Sequence, residues 1–317
     1  MKITLVSGGR LPVTGYGGLE RQVQWLALEL HRQGHQVTIV SEAVGPLGDI
    51  EMRAAARDQL PEAIPADADI VNFHARWPRE GDDFGKPFLN TAHNIYPHID
   101  VRNAPWSFVS AFHAKRQGGA HYVHNGFPLD DYPLCENKSD RLLFMAGVGR
   151  PGKNLTRAVA LAHHFDFPLD VAGGRRWGLL NRSKVRKELL FFKTLTPRFR
   201  FHGIVDGGRK MKLLGQAKAF LNPIRVEETF GMAPVEAMLC GTPVLATPLA
   251  AMPEIVTRET GFLFETDAEF AEALEGLGDL EPRWIRESAA DRFSIERTAK
   301  GYLDLYARVL DGDRLVN

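Results

Sequence analysis

The stretch that most constrains the fold runs from residue 219 to residue 247. It begins with a short apolar run, A-F-L-N, which is typical of a buried strand that ends before Pro223. Pro234 suits the first position of a helix, because the N–H at that position would have no partner inside the helix. Gly241 suits the left-handed position that follows a helix end. The stretch therefore predicts a strand, a loop over residues 231–233 and a helix whose N-terminus can bind an anion.

Composition limits the class of protein. A chain of 317 residues is long enough for two domains. The 39 Lys and Arg residues balance the 39 Asp and Glu residues, so no long-range field favours nucleic acid as a partner, and only a local basic patch stays open. Cys135 and Cys240 form no C-x-x-C or Cys/His pattern, which indicates a reducing compartment and argues against structural zinc.

The chain is not expected to cross a membrane. No run approaches the eighteen or so apolar residues of a membrane span, and the first residues, M-K-I-T-L-V, lead directly into a strand and do not form a signal peptide. We therefore expect a cytoplasmic protein. Peripheral contact with the inner face of the membrane remains an open alternative.

The first half of the chain alternates strands and helices. Residues 3–7 and 37–40 predict strands, and apolar residues between them mark a helix face that ends at Gly34. This order implies a parallel sheet, whose ligands bind at the carboxyl ends of the strands. The loop over residues 7–21 lies at that edge but lacks G-x-G-x-x-G, which argues against a nicotinamide dehydrogenase.

Three further features place functional side chains at strand ends. Two short predicted strands, residues 69–74 and 88–93, each end in a histidine, His74 or His93; a satisfied polar role is the alternative for both. A second domain begins with the strand L-L-F-M-A-G, and Arg150 and Lys153 follow it. A guanidinium fork and an ammonium suit a diphosphate, and solvated surface charge is the alternative.

Two glutamates flank the predicted helix N-terminus. Glu228 and Glu236 are separated by seven residues, and carboxylates accept hydrogen bonds from sugar hydroxyls. An isolated pair of this kind is usually solvated charge. Here T-F-G lies between the glutamates, and E-A-M-L-C-G-T-P-V-L-A-T begins at the second. This context resembles the signature of family 4 of the retaining glycosyltransferases, which have the GT-B fold.

The resemblance implies an α/β architecture. We expect two Rossmann-like parallel-sheet domains that face a central cleft, with the C-terminal helix crossing back to the first domain. The first, acceptor-side domain would span residues 1–130 together with about 298–317, and the second, donor domain would span residues 131–297.

The resemblance also implies roles for individual residues. Glu228 would face the donor sugar, Glu236 the ribose, and the loop at Gly17 and Gly18 the diphosphate. The family has a longer loop before the lysine that Lys153 would match. The residues assigned to catalysis are Glu228, His93, Arg150 and Lys153, and those assigned to donor binding are Gly17, Gly18, Arg150, Lys153, Val205, Glu228, Phe230, Gly231, Met232, Ala233 and Glu236.

The expected function is the transfer of a sugar from a nucleotide-diphosphate sugar to the hydroxyl of a sugar, glycolipid or other small-molecule acceptor. The resemblance implies retention of anomeric configuration, with no metal ion and no cofactor. A GT-B sugar-nucleotide epimerase or phosphorylase and a non-catalytic nucleotide-sugar-binding protein remain alternatives. The sequence leaves the sugar, the base and the acceptor open.

Overall fold

Two separate parallel sheets organise the chain. The computed structural model describes residues 1–13, 17–78, 84–97, 99–180 and 185–315, and of residues 185–188 it describes only the backbone. The chain divides into unit 1, which comprises Met1–Pro128 and Phe293–Asn317, and unit 2, which comprises Leu129–Arg292. The first division lies two residues before the predicted boundary at residue 130, and the return to unit 1 precedes the predicted residue 298.

Unit 1 is built on a six-stranded sheet with the order β5-β3-β1-β6-β7-β8, in which every pair is parallel. A separate two-stranded parallel sheet pairs β2, which comes after β1, with β4, which comes after β3. Strands buried on both faces are mostly apolar, and β6 has all four of its residues buried, with Asn72 as its one polar residue. The strands are β1 (Lys2–Val6), β2 (Arg10–Leu11), β3 (Gln36–Ser41), β4 (Ala43–Val44), β5 (Glu51–Ala54), β6 (Ile70–Phe73), β7 (Phe88–Thr91) and β8 (Trp106–Ser107).

The first helices of unit 1 cover this sheet. They are α1 (Gly18–Arg32), α2 (Leu60–Ala63) and α3 (Ala111–Arg116). Val23, Leu26 and Leu30 lie on the predicted face of α1 and are buried among the strands, because their spacing places them on one side of the helix.

Unit 2 repeats the architecture with the strand order β11-β10-β9-β12-β13-β14, again parallel throughout. Of the helices that the structure describes in either unit, none is both long and apolar enough to cross a membrane. The elements of unit 2 are β9 (Leu142–Met145), α4 (Leu155–His164), β10 (Leu169–Ala172), α5 (Val185–Lys193), β11 (Phe199–Gly203), α6 (Gly207–Gln216), β12 (Ala219–Asn222), α7 (Met232–Leu239), β13 (Val244–Ala246), α8 (Met252–Ile255), β14 (Gly261–Leu263), α9 (Asp267–Gly276) and α10 (Pro282–Phe293).

Helix α7 begins earlier than the sequence indicated. Gly231 is its N-cap, so Met232 and Ala233 are helical and Pro234 is the third helical residue. The prediction of a loop over residues 231–233 was therefore wrong for its last two residues. None of the N–H groups in the first turn of a helix has a partner inside the helix, so a proline is tolerated at any position of that turn. The predicted C-terminal signal is confirmed, because Gly241 has a φ of 75° directly after the helix end.

The terminal helix α11 (Ile295–Leu310) belongs to unit 1. The backbone of Phe127 bonds to that of Phe293 and of Ile295, at 2.9 and 3.0 Å, which joins the chain to the start of this helix. Farther along, the hydroxyl of Tyr306 donates to Oδ1 of Asn72 over 2.8 Å. Both of these side chains are fully buried.

The Tyr306→Phe substitution tests how strongly this bond holds α11 in unit 1. It removes the donor and leaves the buried Oδ1 of Asn72 without that bond, which costs about 1–3 kcal/mol. We expect a lower melting temperature in thermal denaturation followed by circular dichroism. Tyr122→Phe, at a tyrosine that is 42% exposed, is the matched control and should melt like the parent protein. Equal melting temperatures for all three proteins would contradict the prediction.

Candidate functional site

Lys153 and Glu228 are in contact in unit 2. Nζ of Lys153 forms an ion pair with Oε1 of Glu228, although the two residues are 75 positions apart in the sequence. The side chains are 24% and 15% exposed, so the pair is partly accessible. The structure thus brings together two of the residues assigned to catalysis, one from the loop after β9 and one from the loop after β12.

The backbone explains how the shortened loop reaches Glu228. The N–H of Arg225 donates to the carbonyl oxygen of Gly152 over 2.8 Å, and the side-chain amide of Asn154 donates to the carbonyl oxygen of Pro223, also over 2.8 Å. A Cβ at position 152 would overlap the side chain of Val226. Glycine at this position therefore permits the close approach of the two loops that places Lys153 against Glu228.

The N-terminus of α7 follows Glu228 closely in the sequence. Gly231 has a φ of 104°, and a Cβ there would overlap the terminal methyl of Met252. Phe230, with 2% of its surface exposed, anchors the loop in the core. The N–H groups of Met232 and Ala233 belong to the first turn, where a helix carries partial positive charge. This end of the helix can bind an anion.

Glu236 lies on α7 and is 4% exposed. Its Oε1 accepts hydrogen bonds from Nζ of Lys210 over 2.5 Å and from the hydroxyl of Tyr132 over 3.2 Å. A buried carboxylate requires such partners, because an unpaired charge away from water costs several kcal/mol. Lys210 on α6 and Tyr132 near the start of unit 2 therefore fix one oxygen of Glu236.

The ammonium of Lys153 has an unusual titration. Burial and, to a smaller extent, the positive charge of Arg150 together lower its pKa to about 8. Arg150 itself is exposed and caps the short 3-10 helix Pro151–Lys153. The two cations thus lie on the same loop, and the charge of Arg150 disfavours the protonated form of Lys153.

Val205 lies between β11 and α6 and is 7% exposed. It follows the end of β11, and its side chain is buried. Any contact made here with a base would come from the main chain, which carries no side-chain signature.

Gly17 and Gly18 lie in unit 1, at the start of α1. A Cβ on Gly17 would lie 2.9 Å from Oε2 of Glu20, and one on Gly9 would lie 3.2 Å from Oε1. The carboxylate of Glu20 therefore lies against the backbone of both loop glycines. Among the described residues, which exclude 14–16, none beyond its chain neighbours and its own helix backbone lies within 4 Å of the Cβ position of Gly18.

His93 also lies in unit 1, just after β7, and it is 8% exposed. Its Nε2 is 2.9 Å from Nδ1 of His74, so the two histidines predicted at neighbouring strand ends are hydrogen-bonded to each other. Burial and, to a smaller extent, the charge of His113 together lower the pKa of His93 to about 3. The ring is therefore neutral at pH 7, which leaves it hydrogen bonding and makes it a poor proton donor.

Sequence reasoning missed Tyr132 and Lys210. Tyr132 follows a predicted domain boundary, and Lys210 lies among Arg209, Met211 and Lys212 in a helix with exposed charges, so neither has a local signal. Their common property is contact with Glu236. Such a contact becomes visible only when a buried carboxylate is recognised and its partners are sought.

Comparison with known families supports the resemblance in one part of the chain. Residues 141–279 match the family model described as glycosyl transferases group 1. This segment contains the Lys153–Glu228 contact and the pair of Glu236 with Lys210, whereas Tyr132 lies before it. Residues 141–279 thus form a glycosyl transferases group 1 domain, which lies within unit 2.

Curated relatives are similar over a limited length. The chain is 34% identical over 154 residues to a phosphatidyl-myo-inositol mannosyltransferase of Propionibacterium freudenreichii subsp. shermanii, covering 45% of this chain and 37% of the relative. It is 32% identical over 97 residues to an N-acetyl-alpha-D-glucosaminyl L-malate synthase of Bacillus anthracis, covering 28% and 26%. The matched part of the chain thus spans 37% and 26% of the length of these relatives.

A solved structure covers nearly the whole chain. AviGT4, a glycosyltransferase involved in avilamycin A biosynthesis, superposes with a TM-score of 0.81 at 24% identity, covering 98% of each chain. This similarity shows the fold. The predicted α/β class, GT-B with two Rossmann-like parallel-sheet domains, is confirmed.

Lys210→Met tests the pairing of Glu236. The substitution leaves a buried carboxylate without its cation, and removing one partner of a buried pair costs about 3 kcal/mol. We expect a lower melting temperature in calorimetry, with part of the loss recovered in Lys210→Met combined with Glu236→Gln. Lys212→Met, at an exposed lysine on the same helix, is the matched control and should leave stability unchanged. Equal melting temperatures for Lys210→Met and Lys212→Met would contradict a stabilising role of the Lys210–Glu236 pair.

Proposed function

We propose that this protein is a glycosyltransferase that moves a sugar from a nucleotide-diphosphate sugar to an acceptor hydroxyl. The observation that carries the proposal is the contact between Lys153 and Glu228 inside a glycosyl transferases group 1 domain. A cation and a carboxylate held together can serve the two halves of such a donor, because the diphosphate attracts cations and the sugar offers hydroxyls to acceptors.

The leaving diphosphate would be stabilised by charged side chains and by backbone N–H groups. Arg150 and Lys153 supply charge, and the first turn of α7 supplies N–H groups. The loop at Gly17 and Gly18 would contribute its backbone. Groups oriented before the reaction toward developing charge usually give the largest catalytic effect. With these groups in place, we propose that transfer needs no metal ion and no cofactor.

The two carboxylates would bind different parts of the donor. Glu228 would contact the donor sugar, and transfer would retain its anomeric configuration. Glu236 would bind the ribose with the oxygen that Lys210 and Tyr132 leave available, since both of their bonds go to Oε1. Neutral His93 would offer a hydrogen bond near the sugar.

Uridine diphosphate sugars are the first donors to test. Anabaena Alr3699/HepE, in a structure with UDP and glucose, superposes with a TM-score of 0.70 at 16% identity, covering 97% of this chain and 99% of that one. The acceptor would be a sugar, glycolipid or other small molecule. The free thiols Cys135 and Cys240 fit a reducing compartment, and we propose a cytoplasmic location.

Glu228→Gln and Glu236→Gln should separate these roles. The parent protein should be stabilised by one nucleotide sugar in a thermal-shift panel and should transfer its sugar in the presence of EDTA. Glu228→Gln should lower kcat by about 100-fold or more, because its contacts strengthen as the sugar gains positive character. Glu236→Gln should weaken binding of the free nucleoside diphosphate, measured by calorimetry, by about tenfold or more.

Glu227→Gln is the matched control, since Glu227 is an exposed neighbour in the same loop, and it should behave like the parent protein. Parental transfer and binding by both site variants would overturn the proposal. Binding without sugar transfer would favour a non-catalytic binding protein, and donor turnover that needs no acceptor would favour an epimerase or phosphorylase.

The pH dependence should report on Lys153. The amine of Lys153 attracts phosphate only when it is protonated. The pKa of Lys153 is lowered to about 8, so the amine loses its charge above that pH in the free protein. We expect kcat/KM for the nucleotide sugar to fall as pH rises through about 8, by up to tenfold per pH unit.

Lys153→Arg supplies the control, because a guanidinium stays charged throughout this range. The fall near pH 8 should be absent from its profile even if the overall activity is lower. The same fall in both proteins would assign the titration to another group and contradict the prediction.

A further inference from the structure

Helix α5 carries apolar side chains on its outer surface. Leu189, Phe192 and Leu195 recur every third residue along α5 and the turn that follows it, and they are 55%, 64% and 52% exposed. Leu190 and Phe191, in contrast, are buried in the core of unit 2. The helix therefore meets its own core on one side and presents a second apolar stripe to solvent.

Two further side chains extend this stripe. Trp177 is 69% exposed, and its ring centroid lies 5.2 Å from that of Phe191, which in turn lies 5.6 Å from that of Phe192. Leu180 follows Trp177 and is 38% exposed. Scattered exposed apolar residues are ordinary, whereas an apolar group of this size marks an interaction site. We call Trp177, Leu180, Leu189, Phe192 and Leu195 the α5 patch.

The sequence around the α5 patch is strongly basic. Residues 175–200 contain nine Lys or Arg residues and a single acidic residue, although the whole chain has equal numbers of both charges. Arg175, Lys193 and Arg200 are among the exposed ones. A partner that covers this surface must therefore offer an apolar interior together with negative charge.

A bilayer that contains anionic lipids has both properties. Trp, Phe and Leu enter the boundary between headgroups and acyl chains, while Lys and Arg attract anionic headgroups. A nucleic acid would satisfy the charge but not the aliphatic side chains Leu189 and Leu195. We propose that the α5 patch binds the surface of a membrane that contains anionic lipids.

Vesicle co-sedimentation tests the proposal with the full chain. The parent protein should bind vesicles of phosphatidylglycerol and phosphatidylcholine, bind vesicles of phosphatidylcholine alone much more weakly, and be partly released by added salt. Leu189→Ser combined with Phe192→Ser should lower the partition coefficient about tenfold or more, because less apolar surface enters the lipid. Melting temperatures should be unchanged, since both side chains are exposed.

Trp284→Ser is the matched control, because Trp284 is 68% exposed on α10 and lies outside the basic segment. It should bind vesicles like the parent protein. Equal binding by the double variant, or no binding by the parent protein, would overturn the proposal. So would a parent protein that forms a dimer in analytical ultracentrifugation which the double variant cannot form, because a second copy would then cover the patch.

Discussion

The close approach of two loops in unit 2 is the constraint on which the candidate site depends. Gly152 lies against Val226 with no room for a side chain, and a backbone bond from Arg225 holds the loops together. Lys153 meets Glu228 only because of this approach. The parallel sheet makes the approach available, since β9 and β12 are neighbours whose carboxyl ends lie at one edge.

Charge compensation is the second theme of the site. Lys153 pairs with Glu228 and Lys210 pairs with Glu236, so each carboxylate already has a cation before any ligand arrives. In the proposed reaction a diphosphate would compete with Glu228 for Lys153, and this exchange would free the carboxylate for the sugar. Glu236 differs, because its pair is nearly buried and Tyr132 also bonds to the same oxygen.

The two proposed activities use different surfaces of unit 2. The site lies on the loops after β9 and β12 and at the N-terminus of α7, whereas the α5 patch lies on α5 and on the segments before and after it, between β10 and β11. Binding to a membrane through α5 therefore would not require the residues that bind the donor. Transfer to a lipid-linked acceptor would benefit from both.

Local sequence patterns determined much of this protein. Alternating strand and helix patterns predicted the parallel sheet of unit 1, and Gly241 marked the end of α7, because strand burial and helix capping depend on neighbouring residues. The parallel sheet of unit 2 was implied by the family resemblance. The start of α7 at Met232 was missed, since a proline is tolerated throughout a first turn. Glu228, Glu236 and Lys153 were recognised by their motif context. Only the tertiary structure decided that Lys153 reaches Glu228, that Lys210 and Tyr132 hold Glu236, and that His93 is buried against His74. These contacts join residues 19 to 104 positions apart, and no local pattern encodes which distant side chains the fold brings together.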